Sequence, residues 1–356
     1  MKKRQTAVVI CPGRGTYTKT ELGYLARHPG RKSGKAARIE HFIADTDARL
    51  LALSAPTVSA LDGAAAFSLK THTPGEFAST LIYACSAVDF LSIDQDQFEI
   101  VAVTGNSMGW YTALALAGAL TEPNAFALIH TMGSMMSAGL IGGQLIYPLV
   151  DDNWRASSAL DGQLERAIIA TKQVQGCEVF PSIRFGGYAI VGGNEAGLAH
   201  LKSLLPATPD GKYPFVLVNH AAFHTPMMGG VSQRAMESLP LDLFQAPTLP
   251  LIDGRGAIWQ PYSTDVAALR EYTLGHQVCA TYDFSAAVTA ALKEFAPDRL
   301  ILLGPGSTSG GAIGQILIAS SWMGITGKTA FSDRQATDPY LLATGRPEQA
   351  ALVMSP

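Results

Sequence analysis

Residues 101–120 read Val-Ala-Val-Thr-Gly-Asn-Ser-Met-Gly-Trp-Tyr-Thr-Ala-Leu-Ala-Leu-Ala-Gly-Ala-Leu. A β-branched run enters Gly105-Asn-Ser-Met-Gly109, and an Ala/Leu-rich run leaves it. That order predicts strand, tight turn and helix, the context in which a GxSxG pattern marks a nucleophile elbow. The turn has no room for side chains two residues before and two after the serine, hence the two glycines. Ser107 then projects its hydroxyl from the C-terminal edge of a sheet. The helix N-terminus behind it offers free N–H groups where negative charge develops.

Working outward, residues 6–11 (Thr-Ala-Val-Val-Ile-Cys), closed by Pro12-Gly13, have the texture of a buried parallel strand. Similar runs occur at Glu99–Thr104, Tyr188–Val191, Phe215–Val218 and Leu300–Leu303. Between them lie helical stretches such as Pro74–Leu91 and Tyr111–Leu120. Alternation of this kind predicts an α/β fold, a large domain with a mostly parallel sheet covered on both faces. Residues 139–219 have a separate rhythm of strand (Gln144–Val150), helix (Gly162–Thr171), strand and helix (Glu195–Leu205). They are expected to form a small α+β insertion between residues 1–138 and 220–356. The tail after Gly324 has weak periodicity and receives no assignment.

The bulk composition is that of a globular enzyme. Of 356 residues, 47% are hydrophobic and 15% charged, and the net charge of −3 gives no field for nucleic acid or a membrane surface. Cys11, Cys85, Cys177 and Cys279 are scattered with no CxxC pair, and read as buried, reduced thiols of a cytoplasmic protein rather than a zinc site. The apolar run near Met1 is too short for a signal peptide, and the glycines, serines and Pro148 interrupt residues 123–150 before a membrane span accumulates. The basic cluster at residues 27–38 reads either as a solvated loop or as a landing site for phosphates or an acidic partner.

A serine nucleophile needs a base. Among eight histidines, His224 in Val216-Leu-Val-Asn-His-Ala-Ala-Phe-His-Thr-Pro-Met-Met228 follows an expected strand and precedes a helix start at Pro226. Catalytic side chains collect at such strand ends. His220 is the alternative base, and His130 reads as a core residue.

Four segments now combine: Cys11-Pro-Gly-Arg-Gly15, GNSMGWYTALALAGAL, AFHTPMM and Leu303-Gly-Pro-Gly306. Their order and spacing resemble those of the malonyl-CoA:acyl-carrier-protein transacylase family, whose usual forms are FPGQGSQ, GHSLGEYTAL, His-Ser/Thr-Pro-Leu-Met and VGPG. The resemblance runs from about residue 6 to about 318, apart from a long insertion at about residues 16–60 and the tail. It implies an α/β-hydrolase-like large domain with a ferredoxin-like insertion. It also implies Ser107 as the acylated nucleophile and His224 as general base, oriented by a backbone carbonyl. The backbone N–H groups of Arg14 and Met108 would form the oxyanion hole. The implied reaction moves a malonyl or related short acyl group from coenzyme A to the phosphopantetheine thiol of an acyl carrier protein. The coenzyme A thioester and the phosphopantetheine thiol are substrates, and no further cofactor or metal is implied.

Several positions depart from the family. The family's arginine that pairs with the substrate carboxylate, in a segment like EMRGKFM, is matched by His130-Thr-Met-Gly-Ser-Met-Met136, which places Met132 at the arginine. Methionine there suits a neutral acyl chain. Asn106 replaces the elbow histidine, Trp110 the following glutamate and Arg14 the loop glutamine; the Arg14 side chain either supplies the missing positive charge or faces solvent. Phe223 resembles the bulky residue that excludes branched acyl groups, or is core packing. Asp283 falls at a position the family fills with Gln or Arg. Two rival readings stay open: an acyl-hydrolase acting on the same serine ester, and a weakly active scaffold subunit of a synthase.

Overall fold

The computed structural model describes residues 3–137 and 141–354. The expected domain junction at 138–139 lies outside them. In chain order the strands are β1 (Gln5–Cys11), β2 (Phe98–Gly105), β3 (Gly143–Pro148), β4 (Val179–Phe185), β5 (Tyr188–Gly193) and β6 (Phe215–Val216). They continue as β7 (Leu251–Ile252), β8 (Ile258–Trp259), β9 (Tyr282–Asp283), β10 (Arg299–Leu302) and β11 (Leu341–Ala343). Six form one sheet in the order β11-β10-β1-β2-β7-β8, parallel except at the β7–β8 edge.

Every residue from Ala7 to Cys11 is inaccessible to solvent, and Ala102, Val103, Leu300 and Ile301 are equally buried. The unbroken apolar runs at 6–11, 99–104 and 300–303 therefore reflect burial on both faces of a parallel sheet. The helix Gly75–Ser92 packs on the helix Glu122–Ser137, and the helix Gly109–Leu116 packs on β1 and β2. That last helix begins two residues earlier than expected and stops at Leu116. Gly118 takes φ +75°, and the N–H groups of Gly118 and Ala119 close on the carbonyls of Ala115 and Leu114. This is a Schellman ending, which a run of Ala and Leu does not announce.

The other sheet has the order β6-β3-β5-β4-β9. Its first four strands alternate with the helices Ser158–Lys172 and Glu195–Leu204 and pair antiparallel, while β9 joins β4 in parallel. The insertion is thus extended by a strand from the C-terminal half of the chain. The helix Phe284–Phe295 touches β2 and β7 of the large sheet and β4 of the small one.

Two expectations change. Phe215–Val218 is not a buried parallel strand: only Phe215 and Val216 pair, at the edge of the small sheet, and Val218 is 69% exposed. A four-residue apolar run carries no information on which sheet it joins. The tail after Gly324 is ordered, with helices Lys328–Thr337 and Pro347–Val353 flanking β11 at the edge of the large sheet.

Residues 27–38 are tied down at several points. Arg31 pairs with Glu40, Arg38 with Glu122, Lys35 reaches the carbonyl of Ile93, and His28 is buried against Asp89 at 2.9 Å. Of the cysteines, Cys11 and Cys85 are buried, whereas Cys177 and Cys279 are partly accessible; all four are free thiols.

Candidate active site

Strand register brings the first parts together. Cys11, the last residue of β1, lies opposite Gly105, the last residue of β2, and Asn106 donates its N–H to the Cys11 carbonyl at 3.0 Å. The loop Pro12–Gly15 and the turn Gly105–Gly109 are therefore adjacent at the C-terminal edge of the sheet. Ser107 sits at the apex with φ +55°, a left-handed conformation costly for a serine. A Cβ on Gly105 would lie 2.2 Å from the Gly109 carbonyl oxygen, and one on Gly109 2.4 Å from that of Cys11. Both glycines are thus fixed by backbone contact, as the tightness of the turn demands.

Ser107 Oγ is 2.7 Å from His224 Nε2, and His224 Nδ1 is 2.5 Å from the main-chain oxygen of Gln277. Only a donor N–H can approach that carbonyl. Nδ1 therefore carries the proton, and Nε2 presents its lone pair to the serine hydroxyl. Burial pushes the His224 pKa down to about 4, against an upward pull from the Gln277 carbonyl, so the imidazole is a neutral base at ordinary pH. His220 does not reach the serine. Its Nδ1 bonds Gln144 Oε1 at 2.7 Å, Gln144 Nε2 donates to Ser182 Oγ at 2.7 Å, and Ser182 donates to the Phe223 carbonyl at 2.7 Å. This chain ties the small sheet to the loop that holds the base.

Ser107 and His224 open on a cavity of about 400 Å³ between the two sheets. Arg14, Asn106, Met108, Met132 and Phe223 all line it. Neither the Arg14 nor the Met108 backbone N–H donates a hydrogen bond among the described residues. Met132 is 1% exposed, and with Met136, Ile146 and Phe185 it makes much of the lining apolar. Among the described residues Asn106 Oδ1 is buried without a partner. Trp110 is wholly buried and bonds Thr273 Oγ1 at 3.0 Å, so it belongs to the core behind the elbow.

Asp283 is the exception. It does not line this cavity; it caps the helix Phe284–Phe295 by accepting from Ala286 N at 2.8 Å, with Arg184 3.8 Å away. Gln277 faces the site from that region of the chain instead. Its side chain donates to the Ser107 carbonyl at 3.1 Å and accepts from Tyr111 OH at 2.9 Å. Gln277 follows a π-helical turn, Tyr272–His276, and the extra residue in such a turn defeats alignment by helical spacing.

Among the described residues no cluster of three or more His, Cys, Asp or Glu side chains could hold a metal ion, and no helix is long and apolar enough to cross a membrane.

No protein-family model matches the chain, and no curated protein matches it in sequence. Solved structures do match in fold, and many are malonyl-CoA:acyl-carrier-protein transacylases. The enzyme of Coxiella burnetii superposes with a TM-score of 0.72 at 17% identity, over 98% of this chain and 96% of its own. That of Synechocystis sp. PCC 6803 gives 0.71 at 17% identity, over 98% and 100%. A malonyl-transacylase solved in complex with its type II polyketide synthase acyl carrier protein gives 0.70 at 16% identity, over 98% and 99%. The chain therefore has the mixed α/β fold of these acyltransferases across nearly its whole length.

Proposed function

We propose that this chain is a serine acyltransferase that moves a malonyl or related short acyl group from coenzyme A to the phosphopantetheine thiol of an acyl carrier protein. The observation that carries the reading is the 2.7 Å contact between Ser107 Oγ and a neutral, carbonyl-oriented His224 Nε2. The shared fold supports it, as does the solved complex of one such transacylase with its carrier protein. On this reading residues 1–138 and 220–356 form an α/β-hydrolase-like domain and residues 139–219 a ferredoxin-like insertion. The strand order β6-β3-β5-β4 with two intervening helices favours the latter. A cytoplasmic setting suits the four free thiols.

The chemistry runs in two half-reactions. Ser107 Oγ attacks the thioester carbonyl as His224 Nε2 takes its proton. The tetrahedral oxyanion is held by the N–H groups of Arg14 and Met108, each such donor contributing about 3–4 kcal/mol. The C–S bond breaks, and the proton on Nε2 goes to the coenzyme A thiolate. The carrier's thiol then gives its proton to His224, attacks the acyl ester and displaces Ser107, which recovers the proton. Ping-pong kinetics follow.

Intact-mass analysis after incubation with malonyl-, acetyl-, methylmalonyl- and medium-chain acyl-CoA tests the proposal, with Ser107→Ala as control. A serine ester with at least one thioester, absent from the variant and discharged to holo acyl carrier protein, is expected. No ester with any of them would overturn the reading, and free acid despite saturating carrier would turn it to an acyl-hydrolase.

A further inference from the structure

We infer that Gln144 and Ser182, two residues of the small sheet, are positioning residues of the reaction: they lock the Phe223–His224 peptide and thereby hold the base against Ser107. The inference rests on the acyltransferase reading above, in that it takes Ser107 as nucleophile and His224 as base.

His224 has φ +56°, a left-handed conformation that a residue with a Cβ adopts at a cost and keeps only where its surroundings fix it. The plane of the peptide joining Phe223 to His224 sets that angle. The Phe223 carbonyl lies in this plane, and it accepts from Ser182 Oγ at 2.7 Å. Released from Ser182, the peptide could turn and let His224 relax toward negative φ. The backbone carrying the imidazole would then shift. The imidazole has no slack for such a shift, with Nε2 2.7 Å from Ser107 Oγ and Nδ1 2.5 Å from the Gln277 oxygen. A small displacement of a base from its working geometry is costly in rate.

A β-bulge aims Ser182 at this carbonyl. Pro181 lies opposite Val191 and Ile183 opposite Ile190, so Ser182 is the extra residue of β4, and such a residue re-aims its side chain. A hydroxyl has one hydrogen. That of Ser182 goes to Phe223, while its oxygen accepts from Gln144 Nε2 at 2.7 Å. Gln144 Oε1 in turn accepts from His220 Nδ1 at 2.7 Å. The donors thus run in one direction, from His220 at the start of the segment to the Phe223 carbonyl at its end. Between them, Ala222 N donates to the Ile141 carbonyl at 2.7 Å. The segment also rests on Gly192 of β5, where a Cβ would stand 2.7 Å from Thr225 Cγ2 and 3.3 Å from Ala222 Cα. Gln144 is 1% exposed and Ser182 is fully buried, beside the apolar Leu145, Ile146 and Ile183. Apolar side chains would pack there without the cost of burying polar groups. What the polar pair adds is a fixed direction for the Phe223 carbonyl.

The test reads phosphonylation of Ser107 by a fluorophosphonate, separating the inactivation rate constant kinact from the binding constant KI, in the full-length protein. Ser182→Ala removes the donor to Phe223, and Ser182→Thr restores a hydroxyl. Gln144→Glu keeps the size of the side chain and still accepts from His220. Its carboxylate, however, sets a second acceptor against Ser182, whose single hydrogen can then serve only one of the two. Ser182→Ala and Gln144→Glu should each lower kinact by about 10- to 100-fold with KI little changed, and Ser182→Thr should recover most of the loss. The double variant Ser182→Ala with Gln144→Glu should be no slower than Ser182→Ala alone, since both act through one carbonyl. A thermal melt of each variant establishes that it is folded at the assay temperature. Folded Ser182→Ala and Gln144→Glu proteins that react at the parent's rate would overturn the assignment, as would losses that appear in KI or simply add in the double variant. Phosphonylation needs no thioester. A parent that is phosphonylated at Ser107 but forms no ester with malonyl-CoA or acetyl-CoA therefore refutes the transferase reading, whatever the variants do.

Discussion

Gln277 holds both Ser107 and His224: its main-chain oxygen accepts from His224 Nδ1 at 2.5 Å, and its side-chain amide donates to the Ser107 carbonyl at 3.1 Å. The oxygen is available because Gln277 opens the three-residue helix Gln277–Cys279, whose carbonyls lack partners further along the chain. No carboxylate third member is needed. A neutral carbonyl fixes the tautomer while adding less charge than an aspartate would, consistent with a base whose pKa stays low.

Removing the amide should therefore slow acylation without weakening substrate binding. Gln277→Ala leaves the backbone carbonyl in place and frees both the Ser107 carbonyl and Tyr111 OH. We expect kcat for acylation to fall by about 10-fold with KM little changed, in line with one or two lost hydrogen bonds. Tyr111→Phe removes one of those bonds and should cost less; the double variant should be no worse than Gln277→Ala. Stopped-flow acylation of the three variants checks this, and strictly additive losses would contradict a shared role.

The elbow glycines carry a sharper expectation. Alanine at Gly105 or Gly109 would place Cβ 2.2 or 2.4 Å from a backbone oxygen, which no side-chain rearrangement can relieve. Each substitution should destabilise the protein by about 1–3 kcal/mol or more and displace Ser107 from His224. Thermal melting and the rate of serine phosphonylation measure the two effects. A variant that melts and reacts like the parent would refute the account of the turn.

How far the sequence carried depends on whether a residue's role is local. Gly105, Ser107 and Gly109 are legible because strand, turn and helix are contiguous, whereas His224 is reached from a strand-end loop whose strand is short and exposed. The adjacency of β1 and β2, with Cys11 opposite Gly105, emerges only in the sheet order, because a buried apolar run does not specify its neighbour. Gln277 was not legible: it acts through a main-chain oxygen, which leaves no trace in residue type, and the π-helical turn before it shifts the spacing. Asp283, at a position the family fills with Gln or Arg, is a helix cap. That Nη1 of Arg14 is buried without a partner among the described residues was equally out of reach, since only packing reveals it.

The base should give the rate a simple pH dependence. Acylation requires His224 neutral at Nε2, and burial lowers its pKa to about 4. The rate constant should be level from about pH 6 to 8 and fall only as pH drops through the region of 4 to 5. Fluorophosphonate labelling across this range, with a thermal melt at each pH, separates titration from unfolding. An acidic limb centred near the ordinary histidine value of about 6.5 would show that the imidazole is more solvated than its burial implies.

Stability should respond to the same two histidines with a definite sign. His220 and His224 both have pKa values lowered to about 4 in the folded protein, from an ordinary value of 6.5. Above about pH 6.5 both are neutral folded and unfolded, and their contribution is fully present. Between about 6.5 and 4 the unfolded chain binds protons that the folded protein refuses, so stability falls as pH falls. Below about 4 the folded protein binds them too, and the loss levels off. The slope approaches about 1.4 kcal/mol per pH unit for each histidine in the middle of that window. Urea unfolding at pH 5.0, 6.0 and 7.5 measures it. His220→Gln removes one titrating group, so the difference between parent and variant stability should itself change by about 1 kcal/mol or more from pH 7.5 to 5.0. Parallel curves would mean that His220 is protonated in the folded state, which its bond to Gln144 and its proximity to the Arg14 charge argue against.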